Sequence, residues 1–560
     1  MSITRREFIK AVAATGLSST IVGCAIPAMS VRQRQSFDLV IKNGGMIDGT
    51  GTAERPADIG IRDGRILAIG NLDEATADRV IDASGLTVVP GFIDIHSHVD
   101  VELFRDPRAE SKVHQGVTTE VNGCDGDSPA PLGGPGLDRD LADFKEQIGF
   151  DCPYRDMDGF FSLLEQRHSA QNIVSLIGLG SIRGLIVGEE NRPATPDELA
   201  RMQREVVRGI EQGCRGTSTG LEYTPGSFAT PDELIELVRV APEKYRLYAT
   251  HMRNEDNRLL EAIDEAITIA RGSGGRLQVS HLKASYKVNW YKQEKALKML
   301  DDAIASGVDV HADRYPYVAY ATDLDALFPL WAREGGTEAF LSRLKSADDL
   351  KKMREAVLKK IDSLGSWASV MISEVHTDGN KKYQGKTIED VSKETGQDPF
   401  DVTIGLLEQE NGRVSMVGFG MDEAGTEMVL AWKNTMICSD ASSFSPSHRT
   451  SQPHPRAYGS FPRAIARYQR ERKIVTLPEM IRKMTSLPAS QLGLTDRGVL
   501  SVGNAADIVI FDYATIEDRA TYLDPHQFPV GIPYVLVNGV PVVDQGVQTS
   551  ALPGRVLRST

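Results

Sequence analysis

Val89-Pro90-Gly91-Phe92-Ile93-Asp94-Ile95-His96-Ser97-His98 carries an apolar run straight into two histidines separated by one serine. The apolar run marks the end of a buried strand, and Pro90-Gly91 marks the turn into it. Side chains at i and i+2 of a strand point to the same side, so the imidazoles of His96 and His98 project together. Neutral imidazole is a good ligand for zinc and its neighbours in the first transition row. The stretch therefore predicts a metal site at the C-terminal end of a strand.

Working outward, strands alternate with helical patterns, which argues for parallel βα units. Candidate strands after the first are Val117 to Val121, Ile173 to Ile177, Gly216 to Thr219, Leu247 to Thr250, Leu277 to Ser280, Val308 to Val310 and Met436 to Ser439. With the first strand they make eight, the number of a (β/α)8 barrel, expected over residues 90–486. Helical patterns such as Pro196 to Gln212 and Arg258 to Arg271 fall between them. The gap from Val310 to Met436 is too long for one βα unit. It predicts an inserted subdomain over roughly 320–416, before the eighth strand. Residues 37–89 and 487–560 have a different texture, with short apolar strands around Asp63-Gly64 and Asn538-Gly539, both hairpin signals. Neither end can close a core alone, so together they predict one small β-sandwich.

At 560 residues the chain can hold a large barrel and a smaller domain. Its apolar fraction of 41% and charged fraction of 25% are those of an ordinary globule. A net charge of -14 disfavours nucleic acid as a partner. Residues 1–29 read as an export signal: Arg5-Arg6 with Phe8 and Lys10 resembles the twin-arginine pattern, and a mildly apolar stretch follows. Ile21-Val22-Gly23-Cys24 resembles a lipobox, so the expected location is periplasmic, with membrane attachment only through a lipid on Cys24. The remaining cysteines, Cys124, Cys152, Cys214 and Cys438, show no disulfide framework, and Cys214 and Cys438 are expected to be buried thiols.

Polar residues at the C-terminal ends of barrel strands are the usual place for function. His251 ends the fifth strand and His281 the sixth, each after an apolar run and a hydroxyl residue. Together with His96 and His98 they converge on one barrel mouth as metal ligands. Asp440 ends the eighth strand beside these four histidines and is the best general base.

The pattern resembles the amidohydrolase superfamily, in which a His-X-His pair closes the first strand of a metal-bearing barrel. Gly220-Leu221-Glu222-Tyr223-Thr224-Pro225-Gly226, His251-Met252-Arg253-Asn254-Glu255, Ser280-His281-Leu282-Lys283 and His454-Pro455-Arg456-Ala457-Tyr458-Gly459 resemble its D-aminoacylase (N-acyl-D-amino-acid deacylase) branch. The resemblance implies one or two zinc-like divalent ions, and an aspartate at the Asp440 position that contacts metal and shuttles the proton. It implies substrate contacts from Tyr223, Arg253, Lys283 and Arg456, the basic ones toward a free carboxylate. The chain departs from the branch at one point. Where that branch carries a ligand cysteine after the second strand, this sequence has Gly123-Cys124-Asp125-Gly126. Alignment on the glycines places Asp125 at the ligand position, and a loop shift would place Cys124 there; only one of the two can face the metal. No lysine ends the fourth strand, so the carboxylated-lysine bridge of hydantoinase-like relatives is not supported. The implied reaction is hydrolysis of an N-acyl-D-amino acid to a carboxylate and a free D-amino acid. Other readings are an amidohydrolase acting on a cyclic amide, dipeptide or lactone, and a non-catalytic ligand-binding lipoprotein.

Overall fold

A computed structural model describes residues 36–559. The export-signal and lipobox expectations lie outside the described residues. Among the described residues eight parallel strands follow one another in chain order. They are Phe92–Asp94, Val117–Asn122, a third in two pieces (Asn172–Ser175 and Ile177–Gly178), Thr217–Gly220, Leu247–His251, Arg276–Val279, Val310–Arg314 and Thr435–Ile437. Each pairs with the next in sequence. At the break in the third strand, Leu176 N–H donates to Asn122 O and Ile177 N–H to Gly216 O, both at 2.9 Å. The eighth strand meets the first at another seam. Asp440 N–H donates to His96 O at 2.9 Å, and His98 N–H to Ala441 O at 3.2 Å. The seventh strand begins where the expected segment ends, at Val310, because Val308 and Asp309 complete the approach from the preceding helix.

The opening stretch serves two sheets. Thr87–Pro90 pairs antiparallel with Ile508–Phe511, and Phe92–Asp94 pairs parallel with the second strand. Pro90, expected in a turn, is paired opposite Ile508. Gly91 makes the switch: its N–H donates to Asp507 O at 2.8 Å, and a Cβ there would come within 2.1 Å of Thr118 Oγ1. A side chain at Gly91 would push the sheets apart.

The two chain ends contribute a four-stranded and a seven-stranded sheet. Ile41, Ile59, Ile61, Ile508, Ile510 and Leu536 fill one shared core between them. Asp63 and Gly64 have φ of 52° and 74°, the left-handed pair that a tight hairpin requires. Residues 555–557 return to the parallel strands, where Ile173 N–H donates to Arg555 O at 2.9 Å and Leu557 N–H to Ile173 O at 2.8 Å. Between the seventh and eighth parallel strands, Tyr320–Asp323, Ser415–Gly418 and Val370–Glu374 form an antiparallel sheet. With helices such as Ala347–Leu364 it encloses its own core around Phe328, Phe340, Met353 and Phe400. This unit supplies part of the wall above the strand ends. The four described cysteines are buried and unpaired, as expected for Cys214 and Cys438.

Beneath the strand ends lies a buried charge network. Lys112 Nζ, fully buried, donates to Asp94 Oδ2 at 2.9 Å, Ser439 Oγ at 2.6 Å and Ala441 O at 2.9 Å, with Glu120 Oε2 at 3.4 Å. Asp94 Oδ1 also accepts from Ser439 N–H at 2.8 Å. One ammonium thus ties the first, second and eighth strands together. Burial pushes the Glu120 carboxyl up, and Lys112 draws it back toward ionisation. Removing one partner of such a network leaves buried charge uncompensated, at a cost of about 3–5 kcal/mol. Lys112→Met is therefore expected to lower the thermal unfolding midpoint markedly; a midpoint equal to wild type in calorimetry would show that the network contributes nothing net.

Candidate metal and catalytic site

The strand ends open into a cavity of about 1060 Å³ lined by His98, His251, His281, Asp125 and Asp440, with His96 fully buried beside them. Asp125 is at its centre. Its Oδ1 lies 3.3 Å from His96 Nε2. Its Oδ2 lies 3.4 Å from His281 Nε2, 3.7 Å from His251 Nδ1 and 3.7 Å from His98 Nε2. Asp440 Oδ1 lies 3.0 Å from His98 Nε2 and 3.6 Å from His96 Nε2. Two donor sets result: His96, His98, Asp125 and Asp440, and Asp125, His251 and His281, with donor atoms in each set within 4.8 Å of one another. They share Asp125.

The fit to a divalent ion rests on unmet bonding. Both ring nitrogens of His96 and Oδ1 of Asp125 are buried with no hydrogen-bond partner. Buried polar atoms without partners are costly; a metal ion would satisfy His96 Nε2 and Asp125 Oδ1 together, while His96 Nδ1 faces Asp313 Oδ1 at 3.4 Å. Imidazole and carboxylate donors suit zinc and its neighbours. The electrostatics agree. Burial opposes charge on His96, yet Asp125 raises its imidazole well above its ordinary range. His251 is lifted to about 10 against burial by Glu255, Asp125 and Glu222. Burial likewise works against the Asp125 carboxylate, and His96 and His281 outweigh it, holding that group well below the usual range. This is a field that demands positive charge, which protons or a metal supply in competition.

Local backbone geometry aims these groups. Asp125, His281 and Asp440 have φ of 53°, 35° and 51°. Left-handed backbone is disfavoured for residues with a Cβ and clusters at functional sites. Asp125 sits between Gly123 and Gly126, with φ of 72° and 80°. The chain there is a tight loop rather than an extended strand, and the glycines leave room for it. A Cβ on Gly126 would meet Gly220 N at 2.5 Å.

The structure brings Asp125 into the donor cluster and leaves Cys124 and Arg253 outside it. Cys124 borders the cavity, but its Sγ is not among the clustered donor atoms. Its thiol packs among Ile93, Ile95, Val121 and Cys438, its Sγ lies 3.7 Å from Val121 O, and burial holds it protonated. Arg253, expected to contact substrate, does not line the cavity. Its guanidinium forms a fork on Glu265 at 2.9–3.0 Å and donates to Ser227 O at 2.6 Å and Ala229 O at 2.9 Å. Those bonds use its donors to fasten the loop after the fourth strand.

Tyr223, Lys283 and Arg456 do line the cavity. The Tyr223 ring centroid is 4.7 Å from that of His251, and its hydroxyl is 3.5 Å from Thr322 Oγ1 of the inserted unit. Lys283 Nζ is 2.5 Å from Glu255 Oε2. Arg456 Nη1 donates to Asp440 Oδ2 at 2.5 Å. Burial would raise the Asp440 carboxyl; Arg456 and His281 overcome it and hold the group well below the carboxylate range.

Sequence reasoning missed three carboxylates behind the ligands. Glu255 Oε1 lies 2.9 Å from His281 Nδ1, Glu222 Oε2 lies 3.4 Å from His251 Nε2, and Asp313 Oδ1 lies 3.4 Å from His96 Nδ1. Each faces the ring nitrogen turned away from Asp125. Such partners fix ring orientation and tautomer in metal sites. Glu222 and Glu255 sit inside the quoted motifs, and Asp313 stands one residue before the end of the seventh strand. The strand-end rule would have found Asp313 had that strand been placed correctly.

Known proteins resemble this chain along most of its length. The amidohydrolase family pattern matches residues 79–147 and 438–543. The N-acyl-D-glutamate deacylase of Alcaligenes xylosoxydans xylosoxydans is 35% identical over 525 residues, covering 94% of this chain and 97% of that protein. A crystal structure of N-acyl-D-glutamate deacylase from Bordetella bronchiseptica, complexed with zinc and a phosphonate mimic of the tetrahedral intermediate, superposes with a TM-score of 0.79. That structure is 33% identical, and the match covers 94% of this chain and all of that one. A D-aminoacylase structure, described for the functional role of its binuclear metal centre, is 32% identical with a TM-score of 0.78, covering 93% of this chain and 100% of that one.

The loop geometry generates a paired test. Asp125→Ala is expected to lose bound metal and activity, whereas Cys124→Ser keeps its metal content in elemental analysis. Metal loss confined to Cys124→Ser would overturn the placement of Asp125.

Proposed function

Because the chain belongs to the D-aminoacylase family of the amidohydrolases, we propose that it hydrolyses N-acyl-D-amino acids in a metal-dependent reaction, giving a carboxylate and a free D-amino acid. One observation carries the reading: two donor sets share Asp125 at the mouth of a large cavity, with the ionised carboxylate of Asp440 beside them. The D-configuration is taken from the names of the similar enzymes. The eight parallel strands, with their two hydrogen-bonded seams, support a closed (β/α)8 barrel. The shared core of the terminal sheets supports a β-sandwich built from both chain ends, and the antiparallel unit over 320–418 supports an insertion.

His96, His98, Asp125, His251, His281 and Asp440 would hold the ions. A divalent ion bound there acidifies water and polarises an acyl carbonyl. Asp440 accepts the proton of the attacking water as the new C–O bond forms. It then returns that proton to the departing nitrogen as the C–N bond breaks. The Arg456 contact keeps Asp440 ionised at neutral pH and fixes one oxygen, leaving the other toward the histidines. Lys283 lies two residues from His281 and meets the α-carboxylate as a point charge. Tyr223 borders the acyl group from the inserted side. Glu255, Glu222 and Asp313 keep the ligand rings in place. Arg5-Arg6 and Cys24 support export and lipid attachment, and Arg5→Lys with Arg6→Lys would hold the precursor inside the cell.

The reading is tested with zinc-loaded protein on N-acetyl-D-methionine and its L-isomer. Turnover of the D-isomer alone is expected, and equal turnover of both would remove the stereochemical part. Asp440→Asn is expected to lower kcat by about 10²–10⁴-fold, since an amide cannot accept the water proton. A variant with near-normal kcat would assign the base elsewhere.

A further inference from the structure

Arg333 ends the short helix Leu330–Arg333 of the inserted unit and lines the cavity. It is 7% exposed. Its Nη2 donates to the Glu222 carbonyl at 3.2 Å, while its buried Nε has no hydrogen-bond partner. Among the described residues no carboxylate forms an ion pair with it. Asp323 and Asp325 feel its charge at longer range.

The other cations of the cavity are placed differently. Lys283 is paired with Glu255 and Arg456 with Asp440, each at 2.5 Å. Lys360 donates to Ala326 O at 2.8 Å and lies 3.8 Å from Glu222. Arg139 is exposed beside Asp140. Arg333 is thus the buried cavity cation, among the described residues, whose donor fork is mostly unfilled. A guanidinium is always charged, and burying it with open donors is unfavourable unless an anion completes it. Its planar fork matches a carboxylate in two-point contact.

We infer that Arg333 binds a second carboxylate of the substrate, on the side chain of an acidic N-acyl-D-amino acid, an inference that rests on the deacylase reading above. The α-carboxylate sits on the carbon bonded to the scissile nitrogen, so it stays beside Asp440 and Lys283. Arg333 reaches the same cavity from the inserted unit, beside the backbone of Glu222. Sequence reading had no means of seeing this residue. It lies in no strand end and in none of the quoted motifs, and only the folding of the insertion over the strand ends brings it to the cavity.

The test compares kcat/KM of the zinc-loaded enzyme for N-acetyl-D-glutamate and N-acetyl-D-glutamine, which match in shape and differ in charge. Wild type is expected to favour glutamate by roughly 10- to 100-fold, the worth of a charge-assisted pair against a neutral one. Arg333→Gln is expected to bring the ratio near one, and Arg333→Lys to retain part of it. A wild-type ratio at or below one, which needs no variant to fold, overturns the inference. So does an unchanged ratio in Arg333→Gln. Turnover of N-acetyl-D-methionine without N-acetyl-D-glutamate removes this inference alone. Absence of turnover on all three removes the deacylase reading with it.

Discussion

One carboxylate, that of Asp125, faces four imidazoles. Both of its oxygens point at histidine nitrogens 3.3–3.7 Å away, and one oxygen is buried without a hydrogen bond. Such a group has no stable place at these buried strand ends unless positive charge sits between it and its neighbours. Everything near it serves that requirement. Glycines free the loop that presents it, left-handed backbone at His281 and Asp440 turns their side chains inward, and three further carboxylates stand behind the rings.

The seam between the eighth and first strands matters for the same reason. His96 and His98 come from one side of it and Asp440 from the other. Their backbones bond directly, Asp440 N–H to His96 O and His98 N–H to Ala441 O. Lys112 lies underneath and holds Asp94 and Ser439, which stand two residues before His96 and one before Asp440. A shift of the seam would separate the proposed base from the histidines. The charge network and the donor cluster are therefore one mechanical unit.

The site is divided between scaffold and insertion. Parallel strand ends supply the metal donors and Asp440. The inserted unit supplies Thr322 against Tyr223, and Arg333 over Glu222. The donor cluster is carried by the parallel strands, while Thr322 and Arg333 reach the cavity from a unit with a core of its own. Such a division lets binding preference change without moving the donors.

The sequence alone located the four clustered histidines, Asp440, seven of the eight strands and the buried thiols. These depend on local signals: apolar runs, period-two projection and a polar residue where a strand stops. The choice between Asp125 and Cys124 was beyond it, because a loop with three left-handed residues does not obey strand alternation. Arg253 misled for the opposite reason. Its motif is local, but its partners Glu265, Ser227 and Ala229 lie on other elements. Glu222, Glu255, Asp313, Lys112 and Arg333 gain meaning only through contacts made by residues distant in the chain. Tertiary structure decided these, because a charged side chain's role is set by which opposite charge folding brings beside it, and that pairing leaves no periodic trace in sequence.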